Sequence, residues 1–136
     1  MRSTVRDERG QTAVEFALIA PLLIVLLLGI IQFGIAFHDY VTITDAARAG
    51  ARKAIVARFA SGNFTEATQT VKDSASSLDQ KLLAKPGAIQ ITDPAGMVAG
   101  SQVTVTVNYP YTIDIPLIGL TVTSGTLKAV AKEELE

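Results

Sequence analysis

From Phe16 to Ile31 the chain carries no polar side chain, and continuing to Phe37 adds only Gln32. No other stretch restricts the fold as strongly. A segment of this length and composition is too apolar to be one layer of a small soluble core. Taken as a helix from Ala13 to Phe37 it would be roughly 37 Å long at 1.5 Å per residue. A hydrocarbon layer is ~30 Å thick, so tilt absorbs the excess. The expectation is one membrane-spanning helix near the N-terminus of a 136-residue chain. What remains has room for one small domain.

Charge is divided by region. The net value is +2 over residues 38–60 and −3 over 61–136, against −1 for the whole chain. No domain-scale basic surface results, so nucleic acid is not an expected partner. The absence of cysteine removes disulfides and thiolate metal sites. Positive side chains lie on both sides of the apolar run (Arg2, Arg6 and Arg9 before it; Arg48, Arg52, Lys53 and Arg58 after it), so charge alone does not orient the span.

Helical periodicity continues beyond the run. Ala36, Tyr40, Ile43, Ala47, Gly50 or Ala51, and Ala54 recur at three- and four-residue steps, an apolar stripe dominated by small side chains. Such a stripe lets a second helix approach closely. Asp45, Arg48 and Arg52 share the opposite face and can pair weakly. Ser61-Gly62-Asn63 ends the pattern, so a continuous helix from Gln11 to Ala60 would be about 75 Å long. Pro21, Gly29 and Gly34 are its candidate bends.

A second helix is predicted from Asn63, with Glu66 as a capping-box-like partner and Ala67, Val71, Ala75 (or Ser74), Leu78 and Leu82 on one face; Lys85-Pro86-Gly87 stops it. The period then changes to two. Ile89 and Ile91 form one alternating segment, Asp93-Pro94-Ala95-Gly96 reads as a turn, and Val103, Val105, Val107 and Tyr109 form a second. Pro110 and Pro116 bound a further extended piece, and a last strand spans roughly Leu120–Lys132 with Gly125 as a bulge or bend. The fold class is α+β: a long N-terminal transmembrane stalk helix, then a small head of one helix on a three- or four-stranded antiparallel sheet. The divisions are 1–10, 11–60 and 61–136.

The remaining signal lies where the apolar run begins. Gly10 precedes Gln11-Thr12-Ala13-Val14-Glu15-Phe16, placing a glycine five positions before an acid at the edge of the span. Read on its own, Gly10 is a flexible joint and Glu15 a first-turn acid favoured by the helix dipole. A carboxylate carried to bilayer depth without a partner would cost a few kcal/mol. This spacing resembles the processing site of type IV pilin-like precursors. The longer block RGQTAVEFALIAPLLIVLLLGIIQFG, followed by AARAGARKA, resembles the TadE-like family of tight-adherence (Flp) pilus systems, strongly from Gly10 to Arg58 and only generally from 61 onward.

The resemblance implies a minor pilin or pseudopilin that helps assemble or prime Flp pili. Residues 1–10 would be a cytoplasmic leader, cleaved by a prepilin peptidase between Gly10 and Gln11. Glu15 would pair with the free N-terminal amine of a neighbouring subunit, with Phe16 at the start of the assembly surface. The implied location is the cytoplasmic membrane, the head outside the cytoplasm, with other pilins and the assembly platform as partners. One alternative is an uncleaved single-pass protein whose outer domain binds a partner. Another is a secreted domain behind a signal peptide, disfavoured because the run exceeds a 7–15-residue signal core. His38 and the Glu133, Glu134, Glu136 tail read as interfacial and solvated groups. No phosphate loop, metal-spaced cluster or nucleophile–base pair is present, so no enzyme activity, cofactor, metal or small-molecule substrate is expected.

Overall fold

The computed structural model describes residues 4–57, 64–93, 100–115 and 119–134. The first element, α1, is a helix over Thr4–Ala57. It runs unbroken through Pro21, and its 54 residues make it about 81 Å long. Large apolar side chains from Val14 to Val41 are exposed along it, among them Phe16 at 69% and Leu18 at 74%. The helix is long and apolar enough to cross a membrane, as the sequence predicts. Side chains that nothing in the protein covers, over that length, have lipid as their matching solvent.

Above this segment the helix changes partner. Ile43, Ala46, Ala47, Ala51 and Ala54 are fully buried. They pack under a head made of α2 (Thr65–Ser74), α3 (Gln80–Leu83), β1 (Ile89–Thr92), β2 (Gln102–Ile115) and β3 (Leu120–Glu134). The strands form one antiparallel sheet in the order β1-β2-β3. Alternation sends Val103, Val105, Val107 and Tyr109 of β2 and Ala129 and Ala131 of β3 into the core, where α1 and α2 cover them. A sheet this small is marginal with an open face, so the upper part of the stalk is itself half of the head's core.

Several expectations are corrected. The second helix does not run to residue 84. It stops at Ser74, and a separate turn begins where Asp79 caps α3, its carboxylate accepting from the Lys81 N–H at 2.9 Å. The break lets Leu78 and Leu83 enter the core, while Leu82 is only partly buried. Phe64 holds the N-cap position of α2 without a side-chain bond, and Glu66 lies 3.1 Å from Lys53 Nζ; the predicted start and capping box at Asn63 lie outside the described residues.

Pro110 does not divide two strands, because β2 continues through it with Pro110 opposite Thr126. Among the described residues no third strand pairs on that side, since β1 reaches only Thr104 to Val107 of β2, so the missing N–H removes no ladder bond there. The irregularity of β3 is not at Gly125 either. The register shifts between Ile113 and Asp114, leaving Val122 as the extra residue. The turn predicted at 94–96 and the boundary at 61–63 also fall outside the described residues.

Candidate assembly site

Gly10, Gln11, Glu15 and Phe16 lie between the second and fourth turns of α1, all exposed. The Gln11 side chain donates from Nε2 to Glu15 Oε1 at 3.2 Å, an i,i+4 bond along the helix face. A carboxylate offers about four lone-pair sites, so this single bond leaves Glu15 able to accept from an incoming cation. Phe16 stands beside it and touches no core residue.

The backbone at Gly10 is helical, and a Cβ built there meets no atom within 4 Å. Packing therefore does not require glycine at this position. Its physical effect is on the helix: glycine weakens a helix interior by ~1 kcal/mol relative to alanine, at the bond that would have to unwind for cleavage. Gly50 is the opposite case. A Cβ there would overlap Val71 Cγ2 and come within 3.6 Å of the Ala67 carbonyl oxygen, so Gly50 is the point where α2 closes onto the stalk.

The charged face of the upper stalk is divided among three pairs. Arg48 meets Asp45 at 3.7 Å as expected. Arg52 instead reaches Glu133 at 3.9 Å, because Glu133 ends the inward-facing row of β3 and is not a frayed tail. Each pair has at least one well-exposed partner, with only Lys53 and Glu133 half-buried, which keeps each pair weak. Among the described residues no cluster of three or more His, Asp or Glu could hold a metal ion.

One surface escaped the sequence reading. Phe33, Ala36, Phe37 and Tyr40 of α1 and Tyr111, Ile113 and Leu127 of the hairpin line an apolar groove of about 360 Å³. Phe33, Phe37 and Tyr40 at i, i+4 and i+7 were a visible signal for one wall. The other wall was hidden because Pro110 read as the end of a strand.

Among the described residues, one apolar helix long enough to cross a membrane thus carries an exposed glycine–glutamate motif near its start and a small α+β head docked on its far half. Residues 10–52 match the model of the family described as TadE-like protein. The matched segment begins at Gly10 and ends at Arg52, so it takes in the motif, the span and most of the small-residue stripe, and points to a Tad/Flp pilus-associated protein. Neither the curated proteins nor the solved structures yield a match.

Proposed function

We propose that this chain is a minor pilin or pseudopilin of a tight-adherence (Flp) pilus. It is held in the cytoplasmic membrane by α1 with its head outside the cytoplasm, and is cut by a prepilin peptidase between Gly10 and Gln11. The observation that carries the reading is the family match starting at Gly10, on a motif whose glycine no packing contact explains. Cleavage would make Gln11 the new terminus and set its ammonium one helical turn, about 6 Å of rise, from Glu15. A neighbouring subunit displaced axially by one turn would then bring its own ammonium against Glu15. Lateral packing of the exposed row from Phe16 to Val41 would supply the bulk of subunit affinity, and Glu15 the register.

The test is intact mass and N-terminal sequencing of the membrane-extracted chain, with and without co-expressed prepilin peptidase. A chain starting at Gln11 only when the peptidase is present supports the reading. A chain that keeps Arg2 to Gly10 in both samples removes it. Glu15→Gln tests the pairing separately, because processed E15Q chains that enter pili as well as the parent would exclude the amine–carboxylate contact.

A second reading is an uncleaved single-pass protein with a partner-binding head. Its support is that α1 continues without interruption through Gly10 back to Thr4; a peptidase would have to unwind this turn to reach the bond.

A further inference from the structure

We propose that the Ile115/Leu120 end of the β2–β3 hairpin is a membrane-interface wedge, and that the groove between the hairpin and α1 is filled by the upper acyl chain of a bilayer phospholipid. The inference rests on α1 spanning a membrane, but on neither cleavage nor pilus assembly.

The levels follow from contacts along the two elements. Near the top, Arg52 pairs with Glu133, whose strand partner is Val103, and the Gly50 position faces Val105. Lower down, Tyr111 shares the groove with Phe33, Phe37 and Tyr40. The second strand therefore runs antiparallel to the stalk, back toward the span. The last described pairs are Asp114 with Thr121 and Ile115 with Leu120. Four strand residues beyond Tyr111 reach up to about 13 Å further, to the level of roughly Leu28–Gln32 at 1.5 Å per helical residue.

The membrane boundary falls at the same place. A hydrocarbon core of ~30 Å takes about twenty residues of an upright helix, which counted from Ala13 end at Gln32, and tilt carries the boundary toward Phe37. The groove, walled on α1 by Phe33 to Tyr40, then straddles the upper edge of the hydrocarbon, and the hairpin end touches the top of the acyl chains. Its chemistry fits. Tyr40 and Tyr111 are the residue type that collects at that depth, while Phe33 and Phe37, 68% and 59% exposed, continue the lipid-facing row without a break. Alternation turns Tyr111 and Ile113 toward the groove and leaves Thr112 and Asp114 exposed, Thr112 at the edge of a second, more polar pocket that Gln32 and Asp39 of α1 also line. A hairpin apolar on one face and hydroxyl- and carboxylate-bearing on the other suits a wet interface, whose water satisfies the strand edges that dry lipid would strand.

The chain has no cysteine, so single-cysteine variants carry one label each. The full-length protein with Ile113→Cys, Val122→Cys, Leu26→Cys or Gln102→Cys is labelled with an environment-sensitive fluorophore and reconstituted into phosphatidylcholine–phosphatidylglycerol vesicles. Quenching is read with nitroxide lipids bearing the spin label shallow or deep on the chain, and with aqueous iodide. The expected result is loss of emission at positions 113 and 122 to the shallow lipid, at 26 to the deep lipid, and at 102 to iodide alone. Iodide quenching at 113 and 122 as strong as at 102, with 26 still protected, overturns the wedge and leaves the span intact. Protection from both quenchers at 113 means that protein fills the groove, which also overturns the proposal. Iodide quenching at 26 removes the span and the wedge together.

Discussion

Gly50 offers a test of how the head is locked to the stalk, because two effects of known size oppose each other there. Gly50→Ala gains helix propensity, worth ~1 kcal/mol in a helix interior. It also drives a methyl into Val71 Cγ2, a fully buried side chain on α2, with the Ala67 carbonyl and Val105 Cγ1 already at 3.6 Å. Overpacking of this kind costs roughly 1–3 kcal/mol, and valine has little rotamer freedom in a helix with which to relieve it. Taking ~2 kcal/mol for the clash, G50A should destabilise the head by about 1 kcal/mol.

The second half of the cycle isolates the cause. Val71→Ala alone removes two methyl groups and should cost ~2 kcal/mol. In that background the obstruction is gone, so adding G50A should recover about 1 kcal/mol of propensity. The coupling between the two sites is then ~2 kcal/mol. Urea unfolding in detergent micelles reads it through tyrosine emission, since the chain has three tyrosines and no tryptophan, and Tyr109 is buried in the head. An equal effect of G50A in both backgrounds would refute the proposed close approach, as would stabilisation by G50A alone.

Other contacts predict smaller effects. Tyr109→Phe removes the hydroxyl that accepts from the Asp79 N–H at 3.2 Å, and should cost about 1 kcal/mol of head stability in the same unfolding assay. Gly125→Ala would place a methyl 2.9 Å from the Tyr111 ring; the ring should shift in the groove, read as a changed Tyr111 ring resonance by NMR, with ~1 kcal/mol lost. Lys53→Met should change stability by less than about 0.5 kcal/mol, because its partner Glu66 is exposed and methionine keeps the apolar stem of the half-buried Lys53; a loss above 2 kcal/mol would mean this pair holds α2 in place.

Legibility of the fold in the sequence followed the range of the forces involved. The span was plain because solvent partition acts on each residue separately. The stripe from Ile43 to Ala54 and the alternation from Val103 to Tyr109 were plain because one period persists long enough to define a face. The break after Ser74 was not, because Leu78 and Leu82 kept the helical spacing; tertiary packing instead selected Leu83 and placed Asp79 as a new cap. Pro110 misled for a related reason. Proline ends a strand only where its missing N–H was needed, and the reach of β1 is a non-local fact. At the assembly site, Gly10, Gln11, Glu15 and Phe16 were identifiable from spacing and resemblance. The groove was not, since its walls are seventy and more residues apart.

The division of α1 also bears on what a second molecule could grip. Large side chains dominate from Val14 to Val41 and remain exposed, whereas the small residues from Ala46 to Ala54 are covered by the chain's own head. A small-residue stripe in isolation reads as a seat for a foreign helix; here α2 and the sheet already occupy it, with Val71 against Gly50. A partner that meets the upper stalk must therefore use the opposite face, which carries Asp45, Arg48 and Arg52. That face offers exposed, weakly paired charge, suited to orientation more than to affinity. Apolar affinity for another helix is confined to the lower segment, the part that lipid covers while the protein is in the membrane. Association through it must exchange lipid contacts for protein contacts, so tight packing and the placement of Glu15, more than hydrophobicity, would decide which partner fits.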